Sequence, residues 1–226
     1  MKAAICIGHS RSGDAGAKSV GEVSEWNYNV PVGEAITDIL QASGVQVLLL
    51  TSYEGNGYGA AMSWVARELD AFGADCALEL HFNSASPSAK GFEHLFWHSS
   101  DRGKELAALI SEAQAEAFPS SVSRGIKAKD SSDRGSGFLS KPACPAVIAE
   151  PFFGSNEEEW ERYRSEEAQG RLATVYASAI LQFLGAGSVL VPPPEPEAPD
   201  ETKAEILACV AAAEWQLQKI REKLDT

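Results

Sequence analysis

The sequence predicts an α/β fold, a mostly parallel twisted sheet with helices on both faces, plus a C-terminal helix. Two observations support this prediction. Short, continuous apolar runs, typical of strands buried on both faces, alternate along the chain with segments of helical periodicity. The chain also has 226 residues, which is enough for one well-buried domain and an appendage.

Each element follows from a local pattern. Ala3 to Ile7 is an apolar run closed by a glycine, which predicts the first strand. Proline fits only near the first turn of a helix, so Pro31 predicts that the first helix begins near Asn29 and ends near Ala42. Apolar runs predict further strands at 45–50, 76–82, 91–97 and 145–150, and helical periodicity predicts helices at 59–72, 104–118 and 165–184. The polar stretch 119–142 is predicted to be a long loop and a candidate binding loop.

The end of the chain differs from the body. Residues 187–201 are rich in proline and acidic residues, which predicts an extended linker. Over 202–226, apolar residues recur at alternating spacings of four and three, the pattern of an amphipathic heptad helix. The sequence therefore divides into a body at 1–186, a linker at 187–201 and a helix at 202–226. That helix is expected to form a coiled coil, giving a homo-oligomer, or to dock elsewhere.

The charge and the cysteine content limit the expected classes of binding partner and the compartment in which the protein is made. The formal net charge is -13, which disfavours nucleic acid and anionic membranes because phosphate contacts need Lys or Arg. The four cysteines lie far apart and form no CxxC pair, so buried free thiols and synthesis in a reducing compartment are expected. No segment is long and apolar enough for a membrane span, and the first apolar run is too short for a signal peptide. We therefore expect synthesis in the cytoplasm.

Polar residues follow three of the predicted strands. His9, His81 and Glu150 each fall at or just past the end of a strand, where α/β sheets bind ligands. A single histidine in such a place is more often structural, but Glu150 interrupts the apolar run AVIAEPFF, where a buried carboxylate needs a partner. Two imidazoles and a carboxylate form a common zinc set, and another carboxylate can serve as general base. His9, His81, Glu150 and either Glu22 or Glu25 could fill these roles.

Five motifs in order extend this interpretation. They are IGHS at the first strand, EWNYN from Glu25, LELHFNSA around His81, SRGIKA around Arg124, and PAVIAEPFFGSN from Pro145. Together they resemble the zinc-dependent N-acetylmuramoyl-L-alanine amidases of the amidase type 3 group. The resemblance covers residues 5–156 in its motifs and none of the tail.

The resemblance implies residue roles that composition and spacing do not supply. His9, Glu25 and His81 would bind one zinc ion, and Glu150 would be the catalytic carboxylate. Glu25 is preferred to Glu22 because of its spacing to Asn29. Supporting or substrate-binding roles are expected for Asn83, Glu79 and Arg124. Glu79 departs from the family pattern, which has a small residue there; it could orient His81 or belong to a core ion pair. Ser10 also departs, standing where the family has glycine.

The implied activity is hydrolysis of the amide between N-acetylmuramic acid and the L-alanine of the stem peptide, so peptidoglycan is the expected partner. With no signal peptide, the chain resembles a phage or prophage endolysin, released to the wall at lysis. Two alternatives remain at this point: a zinc carboxypeptidase or amidohydrolase acting on small acylated amino acids, and a non-catalytic wall-binding scaffold.

Overall fold

The structure is a computed structural model that describes residues 1–10 and 14–189. Its strands are β1 Lys2–Ile7, β2 Gln46–Leu50, β3 Cys76–Leu80, β4 Phe92–Trp97, β5 Ser123–Lys129 and β6 Ala146–Glu150. Its helices are α1 Glu25–Ala42, α2 Tyr58–Phe72, α3 Asp101–Ala117, α4 Ser136–Ser140, α5 Glu157–Tyr163 and α6 Glu166–Leu184.

The strands form one six-stranded mixed sheet in the order β2-β1-β3-β6-β4-β5. Strands β2, β1, β3 and β6 pair in parallel, whereas β4 runs antiparallel to β6 and pairs in parallel with β5. The predicted mostly parallel α/β sheet is therefore confirmed. Because β1, β3 and β6 are parallel neighbours, their carboxyl ends lie side by side at one edge of the sheet.

Helices cover both faces of the sheet, as the sequence predicts. Alternate strand residues such as Ile5, Leu78 and Val147 belong to a core with α1, α3 and α6. Ala4 and Ile148, whose side chains point the other way, pack with α2 and α4. Side chains alternate along a strand, so Glu79 and Glu150 share the α2 and α4 face with Ile148.

The structure differs from the predicted elements in three places. Helix α1 begins at Glu25 rather than near Asn29, because the Ser24 side chain accepts the Asn27 N–H and caps the helix there, with Pro31 inside it. Residues 119–142 are not a continuous loop: Ser123–Lys129 pairs with β4 as an edge strand, and α4 follows. Helix α5, capped by Asn156, was not predicted.

The predicted linker from residue 190 onward and the whole heptad helix 202–226 lie outside the described residues. Among residues 1–10 and 14–189, none of the helices combines the length and apolar character needed to cross a bilayer. Cys6 and Cys76 are buried thiols and Cys144 is partly exposed, whereas Cys209 lies outside the described residues.

Candidate active site

His9 lies immediately after β1, at a sharp change of backbone direction. Its φ of 71° is in the left-handed region, a backbone conformation that costs free energy in residues other than glycine. The Nδ1 atom lies 3.1 Å from Oδ1 of Asp14, and the Nε2 atom lies 3.4 Å from Oε1 of Glu25. Gly16, with a φ of 79°, passes so close that a Cβ atom there would lie 2.6 Å from the His9 ring. The loop is therefore closely packed around this imidazole.

Glu25 opens α1 and points its carboxylate into the sheet edge. Only 5% of the residue is exposed. Oε1 accepts the Ala17 N–H at 2.8 Å, and Oε2 accepts the Phe82 N–H at 3.2 Å, so the backbone fixes both oxygens. Glu22, in contrast, is exposed and pairs with Lys18 at 2.8 Å. The structure thus brings Glu25, and not Glu22, to the two histidines.

His81 follows β3, and its N–H donates to the Ala149 carbonyl of β6 at 3.0 Å. Its Nδ1 atom lies 3.0 Å from Oε2 of Glu25. The ring lies directly over Gly8, where a Cβ atom would come within 2.3 Å of it. One potential ligand atom from each of His9, Glu25 and His81 lies within 4.8 Å of the others. Two imidazoles and one carboxylate gathered in this way could hold a metal ion.

The three groups strongly affect one another's protonation. Burial alone would raise the pKa of Glu25, but hydrogen bonds from His81 and His9 outweigh it and hold the pKa at about 2. Burial opposes protonation of both histidines, yet the Glu25 carboxylate raises the pKa of His9 and, together with Glu79, raises that of His81. The Glu25 carboxylate and the two imidazoles therefore stabilise one another's charged forms.

Glu150 ends β6, next to the strand that leads to His81. Its Oε2 atom is buried and has no hydrogen-bond partner among the described residues. Burial raises the pKa of Glu150 to about 7; His81 opposes this, and the negative charges of Glu25, Glu93 and Glu79 add to it. This carboxyl group can therefore accept and release a proton near neutral pH.

Asn83 and Arg124, two of the three residues predicted for supporting roles, meet at Glu93, which is opposite Glu150 in the β4–β6 register. The third, Glu79, lies 3.4 Å from the other side of the His81 ring. Asn83 donates its side-chain amide to Oε1 of Glu93 at 3.2 Å, and Arg124 donates Nε to Oε2 at 2.9 Å. The Arg124 guanidinium also lies 5.0 Å from the Phe153 ring centroid, and 42% of its side chain is exposed. Arg124 is thus a partly exposed cation held by Glu93.

Sequence reasoning missed three residues that contact the predicted set: Asp14 beside His9, Glu93 between Asn83 and Arg124, and Tyr53, whose hydroxyl lies 2.5 Å from Oε1 of Glu79. The sequence could have indicated Glu93, because it is a charged residue between two aromatic positions of an apolar strand. Asp14 and Tyr53 lie in loops, and no pattern in the sequence indicates them.

A family profile matches the part of the chain that forms the described domain. The profile of the N-acetylmuramoyl-L-alanine amidase family, Amidase_3, covers residues 4–182. The chain belongs to this family. As a member it is an N-acetylmuramoyl-L-alanine amidase that acts on peptidoglycan, which decides against both the scaffold and the hydrolase of small acylated amino acids. The matched range contains all four residues predicted for the site.

Individual proteins resemble the chain in sequence or in fold. The uncharacterised protein YqiI of Bacillus subtilis (strain 168) is 28% identical over 178 residues, covering 78% of this chain and 81% of that protein. Among solved structures, the amidase AmiC2 of Nostoc punctiforme superposes with a TM-score of 0.71 at 23% identity, covering 82% of this chain and 97% of its own. The catalytic domain of the CD27L endolysin, which targets Clostridia difficile, gives 0.68 at 24% identity, covering 84% and 99%.

Proposed function

We propose that this amidase is zinc-dependent, with His9, Glu25 and His81 as protein ligands and Glu150 as the catalytic carboxylate. The scissile bond is the amide between the lactyl group of N-acetylmuramic acid and L-alanine. The observation that carries the proposal is the convergence of three donor atoms within 4.8 Å beside a buried carboxylate oxygen without a hydrogen-bond partner.

The donor set supports zinc in particular. Imidazole nitrogen and carboxylate oxygen are both ordinary zinc ligands, and three protein ligands with an open position are typical of catalytic zinc. Backbone N–H groups hold Glu25, Asp14 contacts the outer nitrogen of His9, and Gly8 leaves room for the His81 ring. When bound, zinc would supply a more acidic water and would polarise the carbonyl under attack.

Glu150 would move the proton in this reaction. Its Oε2 atom accepts a proton from the water whose oxygen attacks the lactyl carbonyl carbon. The same carboxyl group then gives that proton to the alanine nitrogen as the carbon–nitrogen bond breaks. The products are a lactyl carboxylate on the glycan and a free amino group on the stem peptide. A pKa near 7 suits a group that must both take up and release the proton.

Arg124 would bind the substrate rather than the water. Its Nε–H is occupied by Glu93, and its exposed terminal nitrogens can donate to a carboxylate of the stem peptide. We expect Arg124→Ala to raise KM more than it lowers kcat, with zinc content unchanged. If Arg124→Ala instead lowered kcat and left KM unchanged, Arg124 would act in the chemical step.

Metal analysis of the purified protein, alongside digestion of purified peptidoglycan, tests the proposal. The wild type should contain one zinc per chain and release stem peptides without new glycan reducing ends. His81→Ala should lose zinc and activity together. Glu150→Gln should keep zinc and lose activity by about 10²–10⁴-fold, the usual contribution of a positioned acid or base.

Glu25 and Glu22 provide a matched pair for the third ligand. Glu25→Gln should lose zinc, whereas Glu22→Gln changes an exposed carboxylate three residues away and should retain zinc and activity. If Glu25→Gln binds zinc as tightly as Glu22→Gln does, the ligand assignment is wrong.

We also propose an endolysin role, in which the enzyme is made in the cytoplasm and acts on the wall after release. The proposal is supported by the fold, which is shared with the catalytic domain of the CD27L endolysin. Expression in a bacterium with a susceptible wall should leave cells intact until the membrane is permeabilised, and lysis should follow. Survival after permeabilisation, with active enzyme present, would contradict this role.

A further inference from the structure

The strand that leads to His81 carries a buried carboxylate. Glu79 lies in β3, between β1 and β6, and only 3% of it is exposed. A charge in such a place costs several kcal/mol unless it is paired and hydrogen-bonded. Among the described residues, the imidazole of His81 and the hydroxyl of Tyr53 are polar groups that contact its carboxylate.

The His81 ring lies between two carboxylates, one at each nitrogen. Nδ1 is 3.0 Å from Oε2 of Glu25, and Nε2 is 3.4 Å from Oε2 of Glu79. The ring thus presents Nδ1 to the cluster with Glu25 and His9, and Nε2 to Glu79. In metal sites, the histidine nitrogen that does not bind the metal usually donates to a carboxylate or a carbonyl, which fixes tautomer and ring orientation.

Tyr53 holds the Glu79 carboxylate from the other side. Its hydroxyl donates to Oε1 of Glu79 at 2.5 Å, which leaves Oε2 for His81. Tyr53 therefore fixes the orientation of the carboxylate that faces His81.

We propose that Glu79, held by Tyr53, is a positioning residue for His81. Its carboxylate accepts the Nε2–H and thereby presents Nδ1, unprotonated, to the metal. This inference rests on the proposed zinc site and adds a residue at a place where the motif shared with the family has a small side chain. If Glu79 only balanced a charge in the core, replacing it would change the free energy of unfolding and would not change the zinc affinity.

Three variants separate the two roles. Glu79→Ser leaves Nε2 without its carboxylate, Glu79→Gln keeps an acceptor oxygen of the same size, and Tyr53→Phe removes only the hydroxyl that holds the carboxylate. Zinc dissociation constants are measured by competition with a chelator. We expect Glu79→Ser to weaken zinc binding by about 10–100-fold, the usual effect of losing such a partner. Glu79→Gln and Tyr53→Phe should have smaller effects.

Glu159→Gln is the matched control. Glu159 is also buried, but its oxygens accept the N–H groups of Gly91 and Phe153 and do not contact His81. This variant should unfold at a lower temperature and bind zinc normally. If Glu79→Ser behaves in the same way, Glu79 is structural and the inference is wrong. If Glu79→Ser does not fold, an unchanged zinc affinity in both Glu79→Gln and Tyr53→Phe overturns it equally.

Proton–nitrogen correlation spectra give a readout that does not use activity. In the zinc-loaded wild type, His81 should show a slowly exchanging Nε2–H, and this proton should exchange faster in Tyr53→Phe. A zinc-loaded wild type with the proton on Nδ1 would overturn the proposal. If the wild type binds no zinc, the proposed cofactor is wrong. If, in that metal-free protein, the His81 Nε2–H also exchanges rapidly, the proposed contact between Glu79 and His81 is wrong too.

Discussion

His94 should make the domain sensitive to mild acid, and the size of the effect follows from its burial. The residue lies in β4 with no exposed surface, against the rings of Phe92 and Tyr176, and neither ring nitrogen has a hydrogen-bond partner among residues 1–10 and 14–189. Burial lowers the pKa of His94 from 6.5 to about 3, and the Gln114 side chain acts in the opposite direction. His94 is therefore neutral in the folded protein between pH 7 and pH 5.

The sign of the effect is set by the unfolded chain. Between pH 7 and pH 5, His94 takes up a proton in the unfolded chain but not in the folded one, so the unfolded state gains stability. Over this interval the two pKa values predict a loss of about 2 kcal/mol in the free energy of unfolding from this one group. Further loss accumulates on the way to pH 3 and then stops.

Replacing His94 by leucine tests this directly. Urea unfolding, followed by tryptophan fluorescence with a chelator present, gives the free energy of unfolding of both proteins at pH 7, 6 and 5. Other titrating groups are common to both chains and cancel in the difference. The variant should gain about 2 kcal/mol relative to the wild type between pH 7 and pH 5. Parallel pH profiles would show that His94 is protonated inside the fold, and the reasoning would be refuted.

Three further predictions concern the site and the tail. Gly8→Ala should displace the His81 ring, since the added Cβ would lie 2.3 Å from it; zinc affinity should fall at least 10-fold, and a normal zinc affinity would contradict the packing described. Zinc affinity should rise with pH between 6 and 8, because His9 and His81 have raised pKa values and must release protons to bind the metal; a flat profile in competition titrations would contradict this. Deleting residues 190–226 should reduce any oligomer to a monomer in light scattering while peptidoglycan hydrolysis continues, and an unchanged mass would exclude the coiled coil.

The sequence predicted the parts of the site that depend on strand ends. His9, His81 and Glu150 follow from three apolar runs and one rule about α/β sheets, because parallel neighbouring strands bring their carboxyl ends together. Glu25 did not follow in this way. Pro31 suggested a later helix start, and only the Ser24 cap, formed in three dimensions, makes Glu25 the first helical residue.

The contacts around the site could not be predicted, because they depend on strand order. Glu93 faces Glu150 only because β4 runs antiparallel to β6, a pairing that no local pattern indicates. The edge strand β5 is likewise polar along its length, SRGIKAK, and is a strand because β4 offers it a hydrogen-bonding partner. Tertiary pairing decided these elements rather than hydrophobic periodicity.

The position of β6 in the sheet has a consequence for how the enzyme is made. Among the described residues β6 is the last strand, yet it lies between β3 and β4 and joins β2, β1 and β3 to the pair formed by β4 and β5. Until residues 146–150 have been synthesised, those two parts share no strand, and each has an open edge. Pairings so distant in sequence form late and slowly. The nascent chain thus acquires Glu150 together with the strand that joins the two parts of the sheet, so the candidate site cannot be assembled before the sheet is continuous.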